Sequence, residues 1–435
     1  MKSYSHLYET YLSHENYLAA VHNATLHKGG KARKNDKAKW YRDHAEQIEG
    51  KMMDYAEHFK SDEHKSILIY DGIRRKQRYI VVPNMREQIV HHMVINVLKP
   101  IFMKGMYEHS YGSVPGRGAH AGKKTIEKWI RQDGRNVKYC LKMDIRKYFD
   151  SIPHNILKEK LRKVIRDARF MRVLEEIIDT ADGERGIPIG FYTSQWLANW
   201  YLTDLDHWVK ETLKAKHYIR YMDDMVIFGG NKRELHRMRR EIETYLRDKL
   251  GLEMKDNWQV FRFDYVKKNG KRIGRDLDFM GFRFYRDKTV LRRNLMLKMT
   301  RKARRISRKD VKTIHDCRQM LSYLGWIDCT DTYGLYRKRV KPHVCFGYLK
   351  RRISQYERKM NREKKAREMQ NDDLVQMHQR GKREAGGGGH HQQPEMGVCA
   401  EGFPAGCGDG GHSGTLGVDG TENSAGNAGI VYQNR

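Results

Sequence analysis

The sequence has few cysteines and no long apolar segment. Its 435 residues include six cysteines, which show no pairing framework and no Cys-x-x-Cys spacing. The opening residues, Met1 to His6, lack the apolar stretch of a secretory signal, and no run approaches the length that spans a membrane. These absences predict a protein of the reducing cytoplasm with no membrane partner.

Acidic residues are scarce relative to basic ones. The chain carries 54 Asp and Glu against 85 Lys and Arg, a formal net charge of +31. An excess of this size favours a polyanionic partner, because each neutralised phosphate releases condensed counterions. A basic protein that is merely soluble is the alternative. The length allows two or three domains with a sizeable core.

One polar pair interrupts two runs of β-branched and aromatic residues between His217 and Phe228. Asp223 and Asp224 lie between these runs, a pattern that predicts a hairpin with carboxylates at its tip. Adjacent carboxylates repel each other unless a hard cation lies between them, and Mg²⁺ prefers such oxygen ligands. Ordinary turn chemistry is the alternative explanation for the pair.

A third carboxylate follows an alternating apolar strand farther upstream. The strand begins at Tyr139 and ends at Asp144, and a helix is predicted to open near Ser151 to His154. A carboxylate at a strand end can complete a two-metal site beside the hairpin tip. Such a site supports transfer of a phosphoryl group to a 3′ oxygen with pyrophosphate as the leaving group.

Asp144 followed by Tyr221-Met222-Asp223-Asp224 resembles the palm of a reverse transcriptase, over about residues 60 to 350. The resemblance implies an α+β fold with right-hand polymerase architecture: fingers, a palm with an antiparallel sheet, and a helical thumb. It also implies RNA-directed DNA synthesis with Mg²⁺ as cofactor. Asp144, Asp223 and Asp224 would be the catalytic, metal-binding carboxylates, with Ile145 also at the metal site.

The implied domain organisation has five parts. These are an N-terminal helical extension (1–60), fingers (61–138), a palm with fingers insertions and the primer grip (139–290), a basic helical thumb (291–370) and a disordered Gly-rich tail (371–435). The histidines and cysteines of the tail match no zinc-site spacing. A tail so poor in apolar residues cannot offset the entropy of ordering.

The resemblance assigns further residues to substrate contacts. Lys76, Arg78 and Arg117 would contact the template or the incoming triphosphate, and Phe149 would form an aromatic wall against a 2′-hydroxyl. Lys255 would protonate the leaving pyrophosphate. The primer grip would include Phe279, Met280 and Gly281. A partnerless glycine-rich loop around Arg117, a core Phe149 and a solvated Lys255 are the structural alternatives.

The segment between the carboxylate strands departs from the common pattern. Most reverse transcriptases carry Gln-Gly-x-x-x-Ser-Pro there, whereas this chain has Ile189-Gly190-x-x-x-Ser194-Gln195. The variant resembles the reverse transcriptases of diversity-generating retroelements. The glycine and hydroxyl residues before the next helix also predict a backbone cradle for a nucleotide, so Ile189, Gly190 and Gln195 are candidate nucleotide-binding residues.

That subgroup implies a specific biology. The enzyme would copy a template-repeat RNA from a DNA or RNA primer with dNTPs, misincorporate mainly opposite adenine, and yield error-prone cDNA that rewrites a variable gene segment. A small basic accessory protein that forms a ring would be its partner. The rivals are a group II intron-like or phage-defence reverse transcriptase and, from another class, a catalytically idle RNA-binding protein. The retained carboxylates speak against the idle protein, since mutually repelling acids serve no purpose in a binder.

The sequence also predicts particular helices and strands around these motifs. Asn84 and Glu87 form a plausible capping pair for a long apolar helix, and Gly251 is a predicted helix end. The other predicted elements are helices at 7–24 and 40–59, a strand pair at 66–70 and 77–82, and strands at 252–261 and 278–285.

Overall fold

The computed structural model describes residues 3–26, 36–71, 76–363 and 366. It divides into two compact units. The first contains the described residues up to Lys302 together with Leu324–Lys341, and the second contains Ala303–Tyr323 and the described residues from Pro342 onward. The predicted disordered tail and most of the basic loop near Lys28 lie outside the described residues. Among the residues described, no helix combines the length and apolar character needed to cross a membrane.

The elements alternate between helices and short strands along the chain. The helices are α1 (Leu7–Tyr11), α2 (His14–Thr25), α3 (Asp36–Asp43), α4 (Glu49–Glu57), α5 (Met85–Gly105), α6 (Ala119–Gln132), α7 (Tyr148–Ser151), α8 (His154–Val164), α9 (Ala168–Ile178), α10 (Tyr192–Tyr201), α11 (Thr203–Glu211), α12 (Lys232–Leu250), α13 (Arg293–Ser307), α14 (Ile314–Asp328) and α15 (Tyr333–Arg339). The strands are β1 (Lys65–Asp71), β2 (Lys76–Val82), β3 (Ser110–Tyr111), β4 (Tyr139–Asp144), β5 (His217–Tyr221), β6 (Asp224–Gly229), β7 (Gln259–Arg262), β8 (Tyr265–Val266), β9 (Arg272–Ile273), β10 (Leu277–Phe279), β11 (Phe282–Phe284) and β12 (Thr289–Leu291). This mixture confirms the predicted α+β class.

A five-stranded sheet forms the centre of the first unit. Its order is β3-β5-β6-β4-β7; β3 runs parallel to β5, and the other neighbours are antiparallel. β5 and β6 form the predicted hairpin. Their apolar side chains are buried because helices cover the sheet, including α12, which packs on β4, β6 and β7.

The two longest helices begin and end as their sequences predict. The side chain of Asn84 accepts a hydrogen bond from the Glu87 N–H and caps α5, which buries the expected apolar stripe. Asn231 caps α12 in the same way. That helix ends at Gly251, whose φ of 59° is left-handed. Caps and apolar spacing are local signals, so the sequence carries them in full.

Several predicted elements are interrupted. The helix predicted at 7–24 breaks at Ser13, whose hydroxyl caps α2, and that predicted at 40–59 is two helices, α3 and α4. The strand predicted at 252–261 is reduced to a bridge at Met254 and to β7. A turn at Asp256–Asn257 separates them, because neither residue favours a strand.

The single strand predicted at 278–285 is wrong. Residues Leu277–Phe284 form a hairpin, with Phe279 paired to Phe282 across a turn at Met280 and Gly281. Both turn residues have left-handed φ angles, 51° and 87°. The sequence pattern did not reveal this turn, because Met280 is an apolar residue that is buried like the strand residues around it. After β11 the chain turns again and returns as β12, which pairs Phe284 with Thr289.

The β1–β2 hairpin joins the rest of the unit through main-chain contacts at its base. The predicted strand pair is confirmed, whereas the turn residues 72–75 lie outside the described chain. The Val81 N–H donates to the Ile189 carbonyl at 2.8 Å. Gly190 follows with a φ of +127°, and a Cβ there would lie 2.0 Å from the Val81 carbonyl oxygen. Residue 190 therefore cannot carry a side chain while the hairpin keeps this position.

Replacing Gly190 with Ala should detach the base of the hairpin. Gly183→Ala is the matched control, because Gly183 also has a positive φ, +86°, but has open space around it. The control should cost about 1–2 kcal/mol of unfolding free energy from backbone strain. Gly190→Ala should cost more and should also speed hydrogen exchange of the Val81 amide. Equal costs with unchanged exchange at Val81 would contradict this account.

Candidate active site

The three predicted catalytic carboxylates lie at one end of the central sheet. Asp144 is the last residue of β4 and Asp224 the first of β6, and the two are paired across the strands. Asp223 occupies the turn between β5 and β6, directly after Met222, whose φ is 54°. Paired positions in an antiparallel ladder place their side chains on the same face. The register thus brings together carboxylates that are about eighty residues apart in the chain.

Burial and the neighbouring negative charges disfavour the ionised forms of Asp223 and Asp224. Burial, followed by the charges of Asp144 and Asp224, raises the pKa of Asp223 to about 7. Burial also raises the pKa of Asp224, against the opposing charges of Lys142 and Arg292. The site therefore favours an added positive charge.

Lys255 supplies one positive charge at this site. Its Nζ donates to Asp144 Oδ2 at 2.7 Å, and its backbone N–H donates to the Asp144 carbonyl at 2.8 Å. The hydrogen bond to Asp144 raises the pKa of Lys255. Neighbouring Ile145 is buried and bridges to Met254, so it approaches the carboxylates through main-chain atoms only.

The donor set has the chemistry that a hard divalent cation requires. Carboxylate oxygens with raised pKa values lie together, and a divalent ion would neutralise their repulsion. Among the described residues, however, no group of three or more His, Cys, Asp or Glu side chains is arranged to hold a metal ion. The carboxylate oxygens are the type of ligand that Mg²⁺ takes. The metal site itself stays a prediction.

A buried ion pair holds the turn that carries Asp223. The guanidinium of Arg220, on β5, donates to both carboxylate oxygens of Asp206 at 2.6–3.1 Å, and both side chains are fully buried. The same guanidinium donates to the Met222 carbonyl at 3.0 Å and to Asn199 Oδ1 at 3.1 Å. From the other side, the Met222 N–H donates to the Tyr111 carbonyl.

The sequence patterns did not predict the ion pair between Arg220 and Asp206. The available signal was a charged residue, Arg220, within a run of apolar and aromatic residues that reads as a buried strand. A buried arginine requires an acidic partner. Nothing in the spacing indicates that the partner is Asp206 on α11.

Several carbonyl and hydroxyl groups of the segment Ile189–Gln195 are bonded within the protein, and its role as a nucleotide cradle stays a prediction. The Ile189 carbonyl is bonded to Val81, and the carbonyl of half-buried Gln195 accepts from Asn199 at 3.3 Å. The Thr193 hydroxyl is buried and contacts His91 Nδ1 at 3.0 Å. The predicted hydroxyl groups of the cradle are therefore turned into the core, whereas the Ile189 side chain is half-buried and Gly190 is exposed.

The other residues predicted to contact a nucleotide differ in how exposed their side chains are. Arg78 is exposed on β2, and Lys76 begins that strand, although its side chain lies outside the described part. Arg117 is half-buried and donates to the Tyr107 carbonyl at 2.8 Å, so it supports its own loop. Phe149 is half-buried on α7, edge-on to Tyr148 at 5.7 Å.

The predicted primer-grip residues form the β10–β11 turn. Phe279 is fully buried and Met280 is 8% exposed, with its sulfur packed against Gly122. Gly281 lies against the Trp326 ring. On the β10 side, the Asp278 carbonyl accepts from Lys142 Nζ at 2.8 Å, which links this hairpin to the strand that carries Asp144.

Comparison with known proteins gives one family match. The model of the family described as "Reverse transcriptase (RNA-dependent DNA polymerase)" matches residues 63–283. Protein YkfC of Escherichia coli K12 is 26% identical over 220 aligned positions, which cover 41% of this chain and 58% of YkfC. The "Uncharacterized 91 kDa protein in cob intron" of Schizosaccharomyces pombe is 30% identical over 172 positions, which cover 37% of this chain and 20% of that protein.

A solved structure is also similar over a large part of the chain. Telomerase from Candida albicans, solved with a fragment of telomeric RNA, aligns with a TM-score of 0.41 and 13% identity, covering 74% of this chain and 64% of that one. The chain thus spans less than two thirds of the length of these relatives.

Breaking the buried ion pair should strongly destabilise the first unit. Arg220→Leu leaves the Asp206 charge buried without its partner, so the unfolding free energy should fall by about 3–5 kcal/mol. Arg220→Leu combined with Asp206→Leu should recover part of that loss in denaturant titrations. Lys163→Ala, which breaks the exposed pair with Glu159, is the control and should change the unfolding free energy far less. A single-variant loss no larger than the control's would refute the role of the pair.

Proposed function

Since the chain belongs to the reverse transcriptase family, we propose that it is an RNA-directed DNA polymerase, whose carboxylates at the sheet tip form the catalytic centre. The family match covers residues 63–283, which include all three carboxylates and Lys255. The mixed helix-and-sheet structure agrees with the right-hand polymerase architecture. RNA template, primer and dNTPs are the proposed substrates.

The observation that carries this proposal is the convergence of Asp144, Asp223 and Asp224 through strand register. These side chains would hold Mg²⁺, which supplies Lewis acidity for phosphoryl transfer when bound. A protein that only binds RNA gains nothing from burying acids that repel one another.

Other residues of the chain would serve the same reaction. Lys255 is a cation that lies beside Asp144, and it would donate a proton to departing pyrophosphate. Arg78 is exposed on β2 and would meet template or triphosphate phosphates. Phe149 would restrict the space at the 2′ position of the incoming sugar.

Removing one catalytic carboxylate should abolish synthesis without abolishing RNA binding. Asp223→Asn and Asp144→Asn keep the side-chain shape but remove the charge that holds the cation. Primer extension on an RNA template with Mg²⁺ should fall at least a thousandfold, whereas RNA affinity, which rests on basic residues, should change little.

Asp182→Asn is the matched control, because Asp182 is an exposed acid that belongs to none of the carboxylate strands. It should extend primers like the unmodified protein. Extension by Asp223→Asn at the control's rate would overturn the active-site assignment.

The finer proposal is that the chain serves a diversity-generating retroelement. The support is Ile189-Gly190-x-x-x-Ser194-Gln195, together with the way the first two residues are held. The Ile189 main chain is fixed by its hydrogen bond with Val81. Its half-buried side chain is a hydrocarbon and can offer only apolar contact. Apolar contact separates competing substrates by only about 1–3 kcal/mol, which would permit errors in copying a template-repeat RNA. A small basic accessory protein is part of this proposal.

A second candidate is an enzyme that acts on intron RNA. The observation that favours it is the Schizosaccharomyces pombe relative, whose name places it in the cob intron. This candidate shares the carboxylates and differs in the RNA that is copied. Error rate separates the two, because only the retroelement proposal calls for frequent misincorporation opposite adenine.

Changing Ile189 to Gln should improve copying accuracy if this side chain causes the errors. A buried polar group left unpaired by a wrong nucleotide raises the cost of misincorporation. Errors opposite adenine should fall at least about fivefold, the effect of 1 kcal/mol. Sequencing of cDNA from an adenine-containing template measures this for Ile189→Gln alone and with Gln195→Pro.

The control for this test is Ile189→Leu, which keeps the volume and the apolar character. Its error spectrum should match that of the unmodified enzyme. If both Gln-containing variants also keep that spectrum, residues 189 and 195 are not the physical cause of the errors.

A further inference from the structure

An open groove lies where α12 meets the edge strand β7, and none of the three carboxylates lines it. We call it the edge groove and define it by Lys232, His236, Trp258, Gln259, Phe261 and Arg275. Its volume is about 540 Å³. That value lies within the range of about 300–1,000 Å³ common among ligand sites.

The edge groove is lined by cations and contains no acid. Lys232, Arg262 and Arg275 contribute positive charges, and no Asp or Glu is among the lining residues. The Nε of Arg262 is buried and has no hydrogen-bond partner. Lys232 also begins a long helix, whose first turn favours negative charge. The groove is therefore suited to an anion.

Flat groups line the same groove. The Arg275 guanidinium lies over the Phe261 ring at 4.0 Å. Arg239, outside the groove lining and paired with Glu243, lies over the Trp258 ring at 4.4 Å. His236 meets Trp258 edge-on, with ring centroids 5.9 Å apart. Aromatic rings and guanidinium planes are the surfaces on which unpaired bases stack. The stacked Arg275 thus offers both a phosphate contact and a platform for a base.

The edge groove continues towards the catalytic face of the sheet. Gln259 is paired with Lys142, and Lys142 shares its face with Asp144 two residues on. A second depression of about 350 Å³ includes Lys142 and Arg292 and shares Gln259, Phe261 and Arg275 with the edge groove. That depression also contains Asp276 and Asp278, whose charges are paired with Arg283 and Arg292. A strand held at the carboxylates could therefore extend around β7 past Lys142 and Arg275.

We propose that the edge groove binds a single-stranded segment of RNA, as a second nucleic-acid site outside the catalytic centre. The choice of RNA rests on the proposed function, because a template is longer than the part being copied. Paired bases would be unable to stack on the groove's rings and guanidinium planes. An acidic peptide would meet the charge but would leave the aromatic surfaces unused.

Photo-crosslinking of the full chain to an oligoribonucleotide containing 4-thiouridine tests the proposal. Trypsin cleaves after Lys255 and Arg262, so Trp258, Gln259 and Phe261 fall in one peptide, Asp256–Arg262. That peptide should carry the crosslink. It should persist in the presence of excess blunt RNA–DNA duplex, which offers no unpaired bases, and should weaken with excess unlabelled oligoribonucleotide.

Variants then separate charge from position. Lys232→Ala with Arg275→Ala should reduce the crosslink at least fivefold and lower the slope of log affinity against log salt by about 1.4, two phosphates at about 0.7 each. Lys163→Ala with Arg166→Ala removes the same charge from the exposed surface of α8 and of the segment that follows it, and should change neither quantity.

Three outcomes would overturn the proposal. They are absence of the crosslink from Asp256–Arg262 in the unmodified protein, its complete displacement by duplex, and its displacement by polyglutamate as readily as by RNA. The unmodified protein decides the matter even if the groove variants fail to fold. Primer extension is not part of the readout. RNA binding in the edge groove can therefore be refuted while the proposed polymerase function stands, and the polymerase function can be refuted while groove binding stands.

Discussion

The antiparallel pairing of β4 with β6 is the constraint on which the candidate site depends. It places Asp144 opposite Asp224 and lets the β5–β6 turn present Asp223 beside them. Side chains alternate between the two faces of a strand. A shift of one residue in the register of β4 would therefore move the Asp144 side chain to the face that packs on α12. The sheet therefore has to resist slippage while its tip carries acids that repel one another. The buried pair of Arg220 and Asp206 meets that requirement from inside the unit.

The features that the sequence predicts best are those whose cause is local. The β5–β6 hairpin, the cap at Asn84 and the end of α12 at Gly251 all depend on residues within a few positions of each other. The strand-end position of Asp144 belongs with them. Its proximity to Asp223 was predicted by resemblance, since strand register is a tertiary property.

Other features depend on partners that the sequence does not identify. Arg220 finds Asp206 on a neighbouring helix, and Thr193 finds His91 more than a hundred residues away, which removes its hydroxyl from the predicted cradle. The turn at Met280 was missed because its side chain is buried, although turn residues are usually exposed. In each case the side chain makes contacts with residues far away in the sequence, and these contacts override the structure that the neighbouring residues predict.

The joint between β2 and residues 189–190 separates two properties that usually change together. The contact consists of main-chain atoms, with Gly190 required for its geometry, whereas the side chain at 189 takes no part in the Val81–Ile189 hydrogen bond. Evolution can therefore exchange residue 189 without moving the hairpin. Under the proposed function, the fold would provide a position at which the accuracy of copying could change without altering this joint, next to position 190, where a side chain does not fit.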